Sequence, residues 1–256
     1  MSVSIAITSH DSSQQHRAEE LAQRLALPAV TDGADFDFLL TYTEARLELR
    51  KTNSKTGGVY ADFVSGKVAH RFRYGGGRGQ LIAKAVGLKS GNTPSVLDLT
   101  AGLGRDGFVL ASLGCEVTMV ERSPIVAALL RDGLERAATV SEIAEVMGRI
   151  SLLEQEGANY MQSLSEEERP DICYLDPMYP HSKKSALPGK EMMLFREVVG
   201  EDQDTEELLE AAMVAARRRV VVKRPRKALP LGHQEPDFQI TGKSTRYDIY
   251  LSAQDT

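Results

Sequence analysis

The chain is poor in the features that mark several classes of protein. Among its 256 residues there are two cysteines, Cys115 and Cys173. Two cysteines make no disulfide framework, and they read as buried, reduced thiols of a cytoplasmic protein. The five histidines (His10, His16, His70, His181 and His233) show no ligand spacing with one another or with cysteine, so no structural metal is expected. No apolar run approaches the length of about 18 residues needed to cross a bilayer, so no membrane span is expected. The first residues, M-S-V-S-I-A-I, lack a basic n-region and a long apolar stretch, so no signal peptide is expected. There is no internal repeat and no low-complexity tract.

What is present is an ordinary globular composition, 42% hydrophobic and 26% charged. The length suits one large domain, or one large and one small. The net charge of −5 is unevenly spread. Residues 46–89 hold ten Lys/Arg against two Asp/Glu, and residues 217–227 hold seven basic residues and no acidic one. Two basic segments in an acidic chain point to a polyanion reached through a local surface. Within them, A-H-R-F-R-Y-G-G-G-R-G (69–79) alternates aromatics with Arg71 and Arg73 before three glycines and Arg78. That composition reads as a functional loop offering stacking and phosphate contacts.

Pattern along the chain predicts two parts. Residues 3–8 alternate like a strand, 12–25 read as a helix, and 36–42, 46–49 and 59–64 read as strands. They form a small N-terminal α/β region, taken as 1–75. From residue 95 strands and helices alternate: strands at 96–99, 116–121, 150–153, 171–175 and 219–222, with helices at 105–113, 124–138, 141–147, 158–164, 191–199 and 205–216. Two further strands, at 238–241 and 247–251, close the chain. This alternation predicts an α/β domain over 76–256, a mostly parallel sheet with helices on both faces and ligands beyond the strand carboxyl ends.

The sequence V-L-D-L-T-A-G-L-G-R-D-G (96–107) is the corner on which that domain turns. An apolar strand ends in Asp98, and a glycine turn, Gly102 to Gly104, leads into a helix. Two ligand families use such a corner. Gly102, Gly104 and Gly107 match the dinucleotide pattern G-x-G-x-x-G, with Glu121 placed as a ribose binder. Asp98, Gly102 and Gly104 also match D-x-x-x-G-x-G, the pattern of S-adenosylmethionine (SAM) methyltransferases. A carboxylate ahead of the glycines repels a pyrophosphate and suits a cationic sulfonium amino acid, which favours SAM. Other strand ends carry Glu121-Arg122, Glu156-Gly157 and Asp176.

The loop after the fourth of these strands, D-P-M-Y-P (176–180), is similar to the [D/N]-P-P-[Y/F] motif of enzymes that methylate a planar exocyclic nitrogen. Such a nitrogen is a poor nucleophile because its lone pair is delocalised into the ring. Asp176 and the Pro177 carbonyl can each accept one amine hydrogen, and Tyr179 can stack on the base. The prolines stiffen the turn so that both acceptors stay aimed.

Six blocks in order, among them the glycine corner, M-V-E-R-S-P, Y-L-D-P-M-Y-P-H-S-K-K, V-V-V-K-R-P and R-Y-D-I-Y, resemble the bacterial 16S ribosomal RNA guanine-N2 methyltransferase family, small-subunit methyltransferase J. The upstream A-D-F-V-S-G-K-V-A-H-R and G-G-G-R-G belong to the same pattern, and the resemblance covers residues 45–251. It implies a Rossmann-like SAM-dependent methyltransferase sheet, SAM as donor, and a guanosine of 16S rRNA, free or in the 30S subunit, as target. It implies SAM contacts at Arg105-Asp106, Glu121-Arg122, Glu156-Gly157 and Asp176, beside Asp98, Gly102 and Gly104. Lys183, Lys184, Lys223 and Arg224 join Arg71, Arg73 and Arg78 as expected RNA contacts. The rival readings are methylation of another planar amine (adenine N6, cytosine N4 or a protein glutamine), a non-catalytic RNA-binding protein retaining SAM, and an NAD-dependent oxidoreductase.

Overall fold

The computed structural model describes residues 3–252 apart from 56, 90, 178–189, 201–203 and 233, with 67, 68, 73, 74 and 190–192 described as backbone only. At the start of the chain, β1 (Ile5–Ser9) pairs in parallel with β2 (Phe38–Tyr42), and β2 pairs antiparallel with β3 (Leu47–Lys51). Helix α1 (Gln15–Leu25) makes the crossover from β1 to β2. It buries Ala18, Leu21 and Ala22, one stripe at helical spacing.

The expected strand at 59–64 does not form. Val59, Ala61 and Phe63 are buried as their alternation requires, but only Val59 bridges to Leu49. The Asp62 carboxylate takes the amides of Val64 and Ser65 at 2.9 and 3.0 Å, turning the chain before a ladder can extend. The expected loop at 69–79 is also corrected. Its first half is helix α2 (Gly66–Tyr74), with a tight turn at Gly77–Gly79 behind it. Ala69 and Phe72, three apart, supply an apolar face, and the Phe72 ring lies edge-on to Phe108 at 6.0 Å.

The rest of the chain builds a seven-stranded sheet. Its elements are α3 (Leu81–Ala85), β4 (Val96–Asp98), α4 (Arg105–Ser112), β5 (Val117–Glu121), α5 (Pro124–Ala138), α6 (Ala144–Met147), β6 (Ile150–Glu154), α7 (Gly157–Ser163), β7 (Ile172–Leu175), α8 (Lys190–Val199), α9 (Thr205–Ala215), β8 (Arg219–Pro225), β9 (Phe238–Thr241) and β10 (Thr245–Leu251). The strand order is β6-β5-β4-β7-β8-β10-β9. All neighbours are parallel except β10, which runs antiparallel to β8 and β9. This is the α/β class expected from the alternation.

Burial explains the order. Central β7 is apolar and wholly buried, as a strand covered on both faces must be, while edge strand β6 is half-buried and edge strand β9 largely exposed. Ser123 caps α5 by accepting from the Val126 amide at 3.4 Å, and Pro124 follows in the first turn. Cys115 and Cys173 are free and buried. Burial pushes their thiols up, to about 11 and about 12. Among the described residues no helix is long and apolar enough to cross a membrane.

Candidate active site

From β4 the chain winds one way through β5 and β6, then returns to build β7 and β8 on the other side of β4. The strand order therefore reverses between β4 and β7, and a crevice opens beyond their carboxyl ends. Asp98 ends β4 and Asp176 follows β7, so both acids flank that point. They line a cleft of about 1000 Å³ together with Gly102, Arg105, Asp106, Glu121, Arg122, Glu156, Gly157 and Pro177.

The glycine turn is shaped by its backbone. Gly102 and Gly104 have φ of +55° and +72°, angles that side chains strain to adopt. Gly104 does not line the cleft. A Cβ there would lie 2.7 Å from Leu130 and 3.1 Å from Phe63, so its role is to let the turn pack onto the core. Gly102 lies at the cleft, and its amide donates to Glu121 Oε2 at 2.9 Å. The other Glu121 oxygen accepts from the Ser123 amide at 2.8 Å. The glycine turn and the end of β5 are thus held as one piece.

Asp98 is 2% exposed at the cleft floor. Burial, then the nearby Asp106 carboxylate, push its carboxyl up to about 8, against a weak bond from the Thr100 amide. Thr100, which sequence reasoning passed over, also accepts from the Asp176 amide at 2.6 Å and so ties the end of β7 to β4. Arg122 pairs with Asp204 at 2.8 Å on the rim. Glu156 is exposed at the mouth, and Gly157 is buried beneath it against Leu99 and Leu208.

Lys223 sits between two carboxylates, 2.7 Å from Asp106 and 2.6 Å from Asp176. Asp106 also accepts from the Tyr174 hydroxyl at 2.8 Å and from Arg71 at 3.1 Å. Burial raises the Asp106 pKa, but Lys223, Tyr174 and Arg71 outweigh it, and the carboxyl stays below its usual range. Asp176 moves the other way. Burial raises it, Lys223 offsets part of that, and Asp106 adds to it.

The basic residues separate into distinct roles. Lys223 lines the cleft in this acid pair and Arg224 is buried, donating to the Leu229 carbonyl, so neither is displayed on the open surface. Arg71 likewise faces the cleft, bonded to Asp106 and to Gln80. Arg78 is exposed, bonded to the Lys89 carbonyl at 2.6 Å. Arg73 lies on α2, with its side chain outside the described residues, as are Tyr179, Lys183 and Lys184 entirely.

One wall of the cleft comes from the N-terminal part of the chain: Gly57, Gly58, Tyr60, Asp62 and Ser65. The Arg46 guanidinium covers the Tyr60 ring at 3.5 Å. Periodicity gave no sign of this wall; the A-D-F-V-S-G block of the family pattern was the available signal.

A family model described as a putative SAM-dependent methyltransferase matches residues 20–252. Ribosomal RNA small subunit methyltransferase J of Coxiella burnetii strain RSA 331 is 49% identical over 253 residues, 98% of each chain. The chain belongs to the small-subunit methyltransferase J family. The Aeromonas hydrophila protein of the same name is 54% identical over 245 residues, 95% of this chain and 96% of that one. A crystal structure of a SAM-dependent methyltransferase from Neisseria gonorrhoeae is 40% identical with a TM-score of 0.78, covering 97% of this chain and 96% of that one. The fold is the Rossmann-like fold of SAM-dependent methyltransferases, and the chain is an enzyme of that class.

The cleft fits the cofactor by its donor set. A buried carboxylate at the floor suits the cationic amino-acid end, Glu121 at the end of β5 suits a ribose diol, and Leu99, Leu103, Val126 and Leu208 offer an apolar bed for a ring. The dinucleotide reading gives way to SAM on the family match, and Asp98 agrees with it, since a cationic ligand draws out its ionised form and a pyrophosphate does not.

Proposed function

We propose that the chain methylates the exocyclic N2 of a guanosine in 16S rRNA of the small ribosomal subunit, in the cytoplasm, with SAM as donor. The observation that carries this is Asp176, at the topological switch point with one side-chain oxygen bonded to Lys223 and followed by Pro177 and the M-Y-P sequence. Asp98, Gly102, Glu121, Arg122 and Gly157 hold the cofactor, which supplies a methyl group made electrophilic by its sulfonium. Asp176 and the Pro177 carbonyl accept the two amine hydrogens and turn the nitrogen lone pair towards that methyl. Tyr179 stacks on the base. The work of these residues is orientation.

The division into a small region (1–75) and a methyltransferase domain (76–256) is part of the proposal, with the small region supplying one wall of the cleft. Two contacts support an RNA path beside it. Arg226 bonds through its amide to Ser244 at 3.0 Å, and Gly242 closes on Leu81 of α3. Exposed Arg226, Lys227 and Lys243 are thereby brought towards exposed Lys84, drawing the two basic segments together.

Single-turnover methylation of 30S subunits lacking the modification tests the site. Asp176→Ala is expected to keep cofactor affinity and to lose about 10²–10³ in rate, the range for removing a positioned electrostatic group. A near-normal rate would move the reacting centre elsewhere.

A further inference from the structure

The parallel register pairs Leu175 with Val222, so the residues that follow, Asp176 and Lys223, stand side by side at the carboxyl end of the sheet. Lys223 gives one ammonium hydrogen to Asp176 Oδ2 and another to Asp106 Oδ2. The two acids are otherwise unequal. Asp106 has three donors, Lys223, Tyr174 and Arg71. The Asp176 side chain has Lys223 alone among the described residues, on Oδ2, and it is 38% exposed to the cleft. No donor among the described residues is given to its Oδ1.

We propose that Lys223 is a positioning residue for methyl transfer, tying Asp176 to the saturated Asp106 so that Asp176 stays an anion with Oδ1 aimed at the target amine, ready to take its proton. This rests on the reading of the chain as an amine methyltransferase with Asp176 at the reacting centre. The proton balance requires such an acceptor. The nitrogen lone pair forms the new N–C bond as the S–C bond breaks with its pair left on sulfur. The nitrogen then carries a positive charge, an N–H proton passes to Asp176 Oδ1, and Asp176 returns it to solvent when product leaves.

Charge around the site favours this division of labour. Among the described residues Asp176 is faced by Lys223 from β8, Asp106 from α4, Asp98 from β4, Tyr174 from β7 and Tyr247 from β10, with Arg71 from α2 behind Asp106. At neutral pH Asp98 holds its proton and both tyrosines are neutral, the Tyr247 hydroxyl being pushed up to about 12 by burial and then by Asp106. Among the described residues Lys223 and Asp106 are the charged groups that act most strongly on Asp176, in opposite directions. Without Lys223, burial and the Asp106 charge favour a proton on Asp176, and a protonated carboxyl accepts no proton from the amine.

The test follows two signals across pH. One is the single-turnover rate on 30S subunits lacking the modification, with saturating SAM. The other is the ¹³C carboxyl resonance of Asp176 in the ligand-free protein, assigned with Asp176→Asn. Lys223→Met is expected to lose roughly 10²-fold in rate at neutral pH, the scale of a general base. Its acid limb should rise by about two to three pH units, as when a close opposite charge is removed, and the rate should recover at higher pH. Lys223→Arg keeps the limb near its wild-type position. Asp106→Asn moves the limb the opposite way, to lower pH, because it removes the second negative charge that acts on Asp176.

Calorimetry should find S-adenosylhomocysteine bound by Lys223→Met within a few fold of wild type. An equal loss at every pH in Lys223→Met, or an Asp176 resonance that titrates as in wild type, overturns the proposal. If the wild-type chain methylates no RNA, the functional reading falls, while the resonance still decides whether Lys223 controls Asp176. If Lys223→Met does not fold, Lys223→Gln, which keeps a hydrogen-bond donor and lacks the charge, carries the decision: its limb and its Asp176 resonance should both move to higher pH, and a wild-type limb overturns the proposal.

Discussion

Asp98 sits where a carboxylate is costly, buried at the cleft floor with a second acid nearby. Its pKa of about 8 lies above the ordinary 3.8, so between those values the unfolded chain is ionised at this residue and the folded one is not. Folding then takes up a proton, and stability falls as pH rises through that window. Asp98→Asn lacks this dependence. In urea unfolding it is expected to match or exceed wild type at pH 8 while changing little at pH 4; a variant weaker than wild type at pH 8 would contradict the buried-acid account. A cationic ligand favours the ionised form, so SAM affinity should rise with pH towards 8, by at most about tenfold per unit. Proton release in calorimetry measures this, and Asp98→Asn should abolish it. Glu121→Ala should weaken SAM binding by about 1.5–3 kcal/mol, the value of a hydrogen bond to a charged group. An unchanged affinity in the folded variant would remove Glu121 from the site. These acids were legible in the sequence because each ends an apolar strand. Thr100 was not, since a hydroxyl between an acid and a glycine turn carries no pattern of its own.

At the scale of elements, the glycine corner makes two separable predictions. Gly104→Ala meets both a left-handed backbone and Leu130 at 2.7 Å. Gly102→Ala meets the backbone angle but no atom nearer than 4.0 Å. The first should cost about 2–4 kcal/mol in denaturant unfolding, and the second about 1–2 kcal/mol. Equal losses would mean that crowding at Gly104 plays no part. The parallel sheet was readable because its strands and helices alternate cleanly and α5 carries its own cap. Helix α2 was not readable in that way. Its arginines and aromatics look like a recognition loop until Phe108 is seen to receive Phe72. The segment 59–64 alternates like a strand, and the alternation is real burial, but a strand also needs a partner edge and Asp62 turns the chain away from one. Tertiary packing decided both cases.

For the whole molecule, charge was read correctly as uneven but too simply as surface. The run at 217–227 divides: Lys223 turns into the cleft, Arg224 is buried, and Arg226 and Lys227 remain exposed. A sequence gives the charge of a strand residue more readily than its direction. Reversing Arg226, Lys227 and Lys243 to glutamate should weaken substrate RNA binding and lower its salt slope by about one for each phosphate no longer neutralised, with S-adenosylhomocysteine binding unchanged. Filter binding across a salt series reads both quantities, and an unaltered slope would mean that this surface is only solvated. Methylation of a guanine amine in the small subunit is measured head-on by methyl transfer from labelled SAM to 30S subunits from cells lacking this enzyme, followed by nucleoside analysis of the 16S rRNA. Label is expected in N2-methylguanosine with the wild-type chain and should disappear with Asp176→Ala. Label in N6-methyladenosine or N4-methylcytosine, or none in the RNA, would contradict the assignment.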